Sequence, residues 1–569
     1  MPKTLPLVGF SKISSRVFLL CFFVIAIFTL AKVFEVKADS VTTSVTVGNS
    51  APAFTVTPFE DPASSTTTPT NVGSNVVFKT TATDANNDNY YLILCSTNSV
   101  TPVNGSAPTC AATTWCTSTS TSTGSQATCS RTALIGDATS NAWYAFVCDG
   151  SSSASCSAGS QGTGDSGSPF IVNHRPGFSA VSNDSPKNPG QTITWSTTAS
   201  DSDSHTVKLI VCKTTGLTGD ACDGGGSDTW CSSSFVASNP TCGYSIPSVA
   251  PDGSNNAYVY IVDQHNFPST DAYQGSNVSF TISNIAPVVS AVTLNSGAAI
   301  NLEESTTKAI TLTATVTDNN SCDGGEIASV LGYVYRSAIT YGGCDIAGDA
   351  NTNNCYPEVS CTLVGGSCTG TTDASANYTC TVNLQYHADP TDDNTPYTAE
   401  NWLNTIKATD NNSATHATQV SAGVELNSLI GVDLGYTVTA SLNYGSLGAG
   451  QSNDPLDKIL TTTPTGNVGL DQEHSGSANM CVNYPTCTGG TPIPVLNQKY
   501  SLTAATAYAS GIALSTTETE VELNIPKPLT TSPTTKNTWW GMLIPIGTVA
   551  GEYSGVNTVT AVKGEIVSW

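Results

Sequence analysis

The residues of this chain best suited to chemistry are aspartates set at the ends of short patterned stretches. Asp84, Asp201 and Asp318 each close a run of alternating apolar and polar residues, and Asp149, Asp263 and Asp410 each close a later, aromatic-rich run. Asn86 and Asp88, Asp203, and Asp323 stand close to the first three. Carboxylates that converge repel one another unless a cation or hydrogen bonds offset them, and calcium accepts about 6–8 oxygen ligands in flexible geometry. These ten residues are therefore candidate calcium ligands, with turn capping by each Asp as the plain alternative. The spacing at 84, 86 and 88 also matches the first ligands of an EF-hand loop. That loop needs Gly and Glu where this chain has Asn89 and Cys95, which excludes it.

Cysteine offers a second chemistry. Of 19 cysteines, Cys21 lies in the N-terminal apolar run, and removing it leaves an even number. Zinc would call for Cys or His at short paired spacings such as C-x2-C, which do not occur here, so disulfides are the expected use. Cys95, Cys110, Cys116 and Cys129 match Cys212, Cys222, Cys231 and Cys242 in a second segment, and each set of four allows three connectivities. Local pairs, Cys95 with Cys110 and Cys116 with Cys129, are preferred. Cys148 and Cys156 have no counterparts and are expected to bond to each other; Cys481 and Cys487 form another isolated pair. Cys322, Cys344, Cys355, Cys361, Cys368 and Cys380 are also expected to be oxidised, in an order the spacing leaves open. Cys95 has the opposite strand parity to Leu92 and Leu94, so its bond should pin a surface loop instead of joining two sheets.

Other constellations carry less. Trp115-Cys116 and Trp230-Cys231 recur at corresponding places. An exposed indole can stack on a sugar ring, which makes Trp115 and Trp230 candidate ligand-binding residues; packing against the adjacent disulfide is the alternative. Gly164-Asp-Ser-Gly-Ser-Pro169 resembles the nucleophile loop of chymotrypsin-like proteases, whose Ser needs a His base. Those enzymes place that His upstream, whereas the first histidine here is His174, so the segment reads as a linker. Glu518, Glu520 and Glu522 line one face of a strand, as a solvated surface does; a glycosidase pair converges from separate elements. No catalytic residue is assigned, and the chain is expected not to be an enzyme.

The elements that position these residues repeat. Asn49-Ser-Ala-Pro52 recurs as Asn173-His-Arg-Pro176 and as Asn284-Ile-Ala-Pro287, and residues 73–95 align without a gap on 190–212. A period this long exceeds a solenoid unit and fits tandem domains, each with its own core. Val76, Phe78, Thr80 and Ala82 share one parity, as do Ile193, Trp195, Thr197 and Ala199, and then Ile310, Leu312, Ala314 and Val316. Period-two patterning of this kind marks a strand with one buried face. Several such strands with turns between them predict an all-β chain of immunoglobulin-like sandwiches. The expected units are 49–172, 173–283 and a divergent 284–428. Residues 429–569 are expected to form a distinct C-terminal β-sandwich, with strands at 435–440, 518–523 and 540–546.

The N-terminus predicts export. Lys3, Lys12 and Arg16 precede an apolar run too short for a bilayer span, and Val36-Lys-Ala38 offers a cleavage site, giving a signal peptide at 1–38 and a linker at 39–48. An uncleaved anchor is the alternative and would be the only membrane contact. Charged residues are only 11% and the net charge is −24. Phosphate backbones would repel such a chain, so nucleic acid is not an expected partner.

The Asn-x-x-Pro marks, the strands closing on Asp84 and its counterparts, and the late aromatic strands resemble the tandem Ig-like, fibronectin-III-like and cadherin-like modules of bacterial secreted surface proteins. The resemblance spans roughly residues 49 to 428. It implies a secreted or cell-surface protein with a structural or adhesive role, and an extracellular protein or glycan as ligand. A carbohydrate-binding array, or accessory modules of an extracellular hydrolase, are the alternatives. Cadherin-like linkers carry acids beside the Asn; this chain has Gly48, Val172 and Ser283 there.

Overall fold

The computed structural model describes residues 42–157, 161–162, 168–416, 419–435 and 441–569. The signal-peptide reading, most of the Gly164–Pro169 segment and all but Gly435 of the expected strand at 435–440 fall outside these residues.

The described chain is built from β-strands, with helical turns only as short 3-10 segments. In the first module, strands Ala53–Asp61, Asn75–Thr83 and Gln126–Thr132 form one sheet. The facing sheet orders Gln161–Gly162, Tyr144–Asp149, Tyr90–Cys95 and Thr114–Thr117. The second module repeats the plan, with Gly177–Asn183, Thr192–Ser200 and Thr241–Ser245 against Thr229–Ser232, Val207–Cys212, Tyr258–Asp263 and Ser276–Asn277. Alternation sets the core: Val76, Phe78, Thr80 and Ala82 are all buried, and so are Ile193, Trp195, Thr197 and Ala199. Burying one face of each strand is what drives the two sheets together.

The four-stranded sheets are buried on both faces. Leu92 and Leu94 enter the inter-sheet core, while Ile93, Cys95, Phe146 and Cys148 form a second apolar cluster with Val100, Cys110 and Cys156 on the other side. Cys95 thus turns away from the main core, as its parity requires, yet it is fully buried because the loop it anchors folds back over the sheet.

The third module joins its two layers along one edge. Its strands run Val288–Leu294, Thr307–Thr317, Ser375–Gln385, Cys355–Leu363, Ile327–Arg336, Trp402–Asp410 and Gln419–Val420 as one continuous seven-stranded order. Strand Cys355–Leu363 pairs first with Ile327–Arg336 and then, through 361–363, with Ser375–Gln385. A bulge at Pro357 and Glu358 interrupts the first pairing, which resumes at Val359 and Ser360 before the strand passes to its second partner at Cys361. Proline brings no N–H to the ladder, and Glu358 has φ 54°.

The C-terminal unit packs a five-stranded sheet against a three-stranded one around Leu460, Tyr500, Leu514, Val521 and Trp540. The strand expected at 540–546 lies earlier, at Lys536–Met542. Pro545 and the left-handed Gly547 (φ 86°) make the following residues a turn. Glu518, Glu520 and Glu522 are exposed.

Where the third module meets this unit, Lys527 lies in a polar pocket, with Nζ donating to the His387 carbonyl (2.5 Å) and to Asn353 Oδ1 (3.1 Å). It pairs with Asp389, which also faces Arg336 Nε at 3.2 Å.

Candidate functional site

The Asn-x-x-Pro mark works as a clip at one pole of each sandwich. Asn49 Nδ2 donates to Asp149 Oδ2 at 2.9 Å, Asn173 to Asp263 at 2.8 Å, and Asn284 to Asp410 at 2.8 Å. The next residue's backbone N–H binds the early loop: Ser50 to Asn86 Oδ1 (2.6 Å), His174 to Asp203 Oδ2 (2.5 Å) and Ile285 to Asn320 Oδ1 (2.6 Å). Two adjacent residues therefore hold the early and late loops together in all three modules. The late strand ends on its Asp, and that carboxylate accepts N–H groups from the turn that follows. Asp263 Oδ1 takes those of His265 and Phe267, and Asp410 Oδ1 those of Asn412 and Ala414.

The early aspartates are satisfied on one side only. Oδ1 of Asp84, Asp201 and Asp318 accepts the N–H two residues on, at 2.7, 2.7 and 2.8 Å. Oδ2 of each is buried and has no hydrogen-bond partner, and the same holds for Oδ1 of Asn173 and Asn284. A buried acceptor without a donor costs about 1–3 kcal/mol, and more when charged. The repetition of one such atom at corresponding places makes a chance lapse of packing a poor account. A donor set of carboxylate and amide oxygens suits a hard divalent cation.

Electrostatics differ between the poles. Burial pushes Asp201 above the ordinary carboxylate range; Asp203 and Asp263 add to the push, while the Asp203 N–H and His205 oppose it. Burial also raises Asp318, with Asp410 and Asp252 contributing. Burial, helped by Asp252, Asp318 and Asp410, pushes Glu326 up to about 7.

Not every expected ligand reaches its pole. Asp203 is fully engaged elsewhere: Oδ1 accepts the Thr139 hydroxyl (2.7 Å) and faces His174 Nδ1 (2.8 Å), and Oδ2 takes the His174 N–H. Burial alone would raise it, but these hydrogen bonds hold its carboxyl below the usual range. Asn86 likewise spends its oxygen on Ser50. Asp88, half-buried, lies in the Asp84 turn, its own N–H 3.3 Å from Asp84 Oδ1. Asp323 is exposed, because the left-handed pair Gly324 and Gly325 (φ 69° and 85°) reverses the chain after it. Glu326, just beyond the reversal and 6% exposed, takes that place, with Oε1 unpartnered. Sequence reading missed Glu326, and the Gly-Gly turn was the available signal. It also missed His205, four residues after Asp201, where the first module has Asp88.

The poles also touch the module before them. Asn173 Nδ2 reaches Asn71 Oδ1 (2.8 Å), Asn320 Nδ2 reaches the carbonyls of Ala250 and Ser283 (3.2 and 3.0 Å), and Asn412 Nδ2 reaches Asp252 Oδ2 (2.6 Å).

Trp115 and Trp230 pack on their module cores. Trp115 lies 6.2 Å from Phe78 and 6.1 Å from Phe170 by ring centroid, with the Arg131 guanidinium 4.1 Å over its ring. Trp230 lies 5.0 Å from Phe280 and 4.7 Å from Tyr244, donates Nε1–H to the Asn256 carbonyl (2.8 Å), and has Lys213 Nζ 4.9 Å from its ring. Neither indole is a bare platform for a sugar.

Nine disulfides join the described cysteines: 95–110, 116–129, 148–156, 212–222, 231–242, 322–368, 344–355, 361–380 and 481–487. Cys116–Cys129 and Cys231–Cys242 tie one sheet of the sandwich to the other, whereas Cys95–Cys110 and Cys212–Cys222 pin loops. Among the described residues, no helix is long and apolar enough to cross a membrane, which leaves strand-built spans unaddressed.

No family model matches the chain, and neither does any curated protein. Solved structures similar to it include a marsupial T cell receptor, 12% identical, covering 64% of this chain and 100% of that one at a TM-score of 0.27. Another is the full ectodomain (Ig1–Ig3) of mouse nectin-like molecule 4, 9% identical, covering 65% and 99% at a TM-score of 0.26.

Proposed function

We propose that this chain is a secreted or surface-attached protein of structural or adhesive type, a row of Ig-like sandwiches displaying disulfide-pinned loops to an extracellular protein ligand. One observation carries the reading: every module is covalently stapled and its pole is hydrogen-bonded into the module before it, or into its own leading segment at Gly48 to Ser50. Oxidised pairs persist outside the cytosol, and clipped joints hold successive modules in fixed relation. The loops pinned by Cys95–Cys110 and Cys212–Cys222 stand on the outer faces of the four-stranded sheets and offer the matching surfaces for a ligand.

Calcium is the cation we assign to the poles of the first and third modules. The ligands we assign are Asp84, Asp88, Asp149 and Asn49 in the first and Asp318, Asp410, Glu326 and Asn284 in the third; in neither do three acidic ligand atoms lie within 4.8 Å of one another, so binding would draw them together. Both sets are all oxygen, and the unpartnered Oδ2 atoms of Asp84 and Asp318 support the reading. The capped indoles of Trp115 and Trp230 weigh against a glycan array.

The deciding experiment is surface labelling and pull-down in the native cell. A membrane-impermeant reagent applied to intact cells should modify the chain, and the chain should co-purify with an extracellular protein. Recovery from the cytosol with reduced thiols would overturn the reading. A strong, selective signal on a glycan array would replace the protein ligand with a carbohydrate.

A further inference from the structure

We infer that the pole of the second module is a site for a zinc-class divalent ion, held by Asp201, His205 and Asp263, and so differs in kind from the all-oxygen poles on either side. One ligand atom from each of these residues lies within 4.8 Å of the others. His205 Nδ1 is 3.8 Å from Asp201 Oδ1, a few tenths of an ångström beyond the roughly 3.3 Å that two ligands of one tetrahedral zinc keep.

The independent sign of a ligand is what the site leaves unsatisfied. The Asp201 side chain is fully buried and its Oδ2 has no partner; His205 Nδ1 is also buried without one. Asn173, fully buried, binds Asp263 through Nδ2 and leaves its own Oδ1 unpartnered. Two of the three converging residues, Asp201 and His205, thus carry a buried lone-pair atom without a partner, and one cation bound with Asp263 satisfies both. Asp263 is already oriented for this by the N–H groups of His265 and Phe267 and the amide of Asn173, the outer support that ligands need.

The identity of the ion follows from one position. Four residues after the early Asp, the first module has Asp88, the second His205, and the third Cys322, which is committed to its disulfide with Cys368. A carboxylate there keeps the set all oxygen, as calcium requires, whereas an imidazole brings a nitrogen that suits zinc and its neighbours. The second pole also sits where the first and second modules touch, through Asn173 to Asn71 and Thr139 to Asp203. An ion here would lock that joint without the calcium that serves the other two.

The test uses the full mature chain, oxidised, without an affinity tag and stripped of metal. Titration with zinc alone, followed by calorimetry and by melting temperature, should show one zinc per chain and a melting temperature that rises with zinc. H205A should weaken zinc binding by at least about 100-fold, the upper end of what losing mere outer support costs. H205D, which restores the donor set of the first module, should lose zinc and gain a calcium response, and its folded state in calcium shows that the loss is not misfolding. Zinc binding unchanged in H205A would overturn the proposal. So would a calcium response in the wild type that D201N abolishes and H205A does not, an outcome that would extend the calcium reading to all three poles. Absence of any calcium response, with zinc binding lost in H205A, would sink the calcium reading and leave this one standing.

Discussion

Lys527 of the C-terminal unit and Asp389 of the third module form a buried ion pair, Nζ to Oδ1 3.0 Å, with side chains 3% and 4% exposed. Burial pushes the Lys527 ammonium down and the Asp389 carboxyl up, and the pairing opposes both shifts. Removing Lys527 leaves Asp389 its contact with Arg336, whereas removing Asp389 strands the Lys527 ammonium in a medium that solvates it poorly. Asp389→Ala should therefore cost about 3–5 kcal/mol in urea unfolding, whereas an exposed pair such as Lys308 with Glu303 should cost about 1 kcal/mol or less.

The clip amides should matter more than their solvent-exposed neighbours. Asn173→Ala takes a donor from the fully buried Asp263 and breaks the contact to Asn71. A loss of about 1–3 kcal/mol is expected in denaturant unfolding of the full chain. A loss within error would show the clip to be incidental.

Calcium should stabilise the chain through its outer poles. Millimolar calcium is expected to raise the melting temperature, and the rise should shrink in Asp318→Asn, Asp410→Asn and again on adding Asp84→Asn. An equal rise in the triple variant would leave these aspartates as turn residues.

Acid should loosen the C-terminal sandwich. His474 is 1% exposed, with Nε2 2.9 Å from Gln472 Oε1 and its ring 4.8 Å from Tyr500. Burial lowers its pKa to about 4, below the ordinary 6.5 that the unfolded chain retains. The unfolded state thus binds the extra proton first, so the stability present above pH 6.5 is lost progressively as pH falls toward 4. Unfolding midpoints measured across that window should show the slope, and His474→Gln should flatten it.

The inter-sheet bonds should outweigh their small loops. Replacing Cys231 and Cys242 together by Ser opens a sandwich tied at that bond, and about 2–4 kcal/mol should be lost by chemical denaturation. Peptide mapping without reduction should recover 231–242 and 148–156 as separate linked pairs.

Much of the fold was readable because it depends on neighbours in sequence. The parity of Val76, Phe78 and Ala82, repeated at Ile193, Trp195 and Ala199, is enough to say which face of each strand is buried. Asp84, Asp201 and Asp318 were visible as strand ends for the same reason. What the chain brings together over long distances was not. The Asn–Asp clips span 90 to 126 residues, and nothing local to Asn173 announces Asp263. Asp203 and His205 differ by two positions, yet the first is saturated by His174 and Thr139 while Nδ1 of the second is left without a hydrogen-bond partner. Strand Cys355–Leu363 carries Pro357, which argues against a central strand, and a bulge at that proline lets the ladder with Ile327–Arg336 continue past it.

The bond between Cys322 and Cys368 has a mechanical consequence. If the chain is pulled from its ends, a module that yields lengthens by the contour of its released residues. This crosslink bypasses the 46-residue stretch it spans, which at about 3.5 Å per residue withholds roughly 160 Å of slack. A tether built this way gives way in a shorter step at its third module, which keeps that loop closed and ready to refold once the load falls.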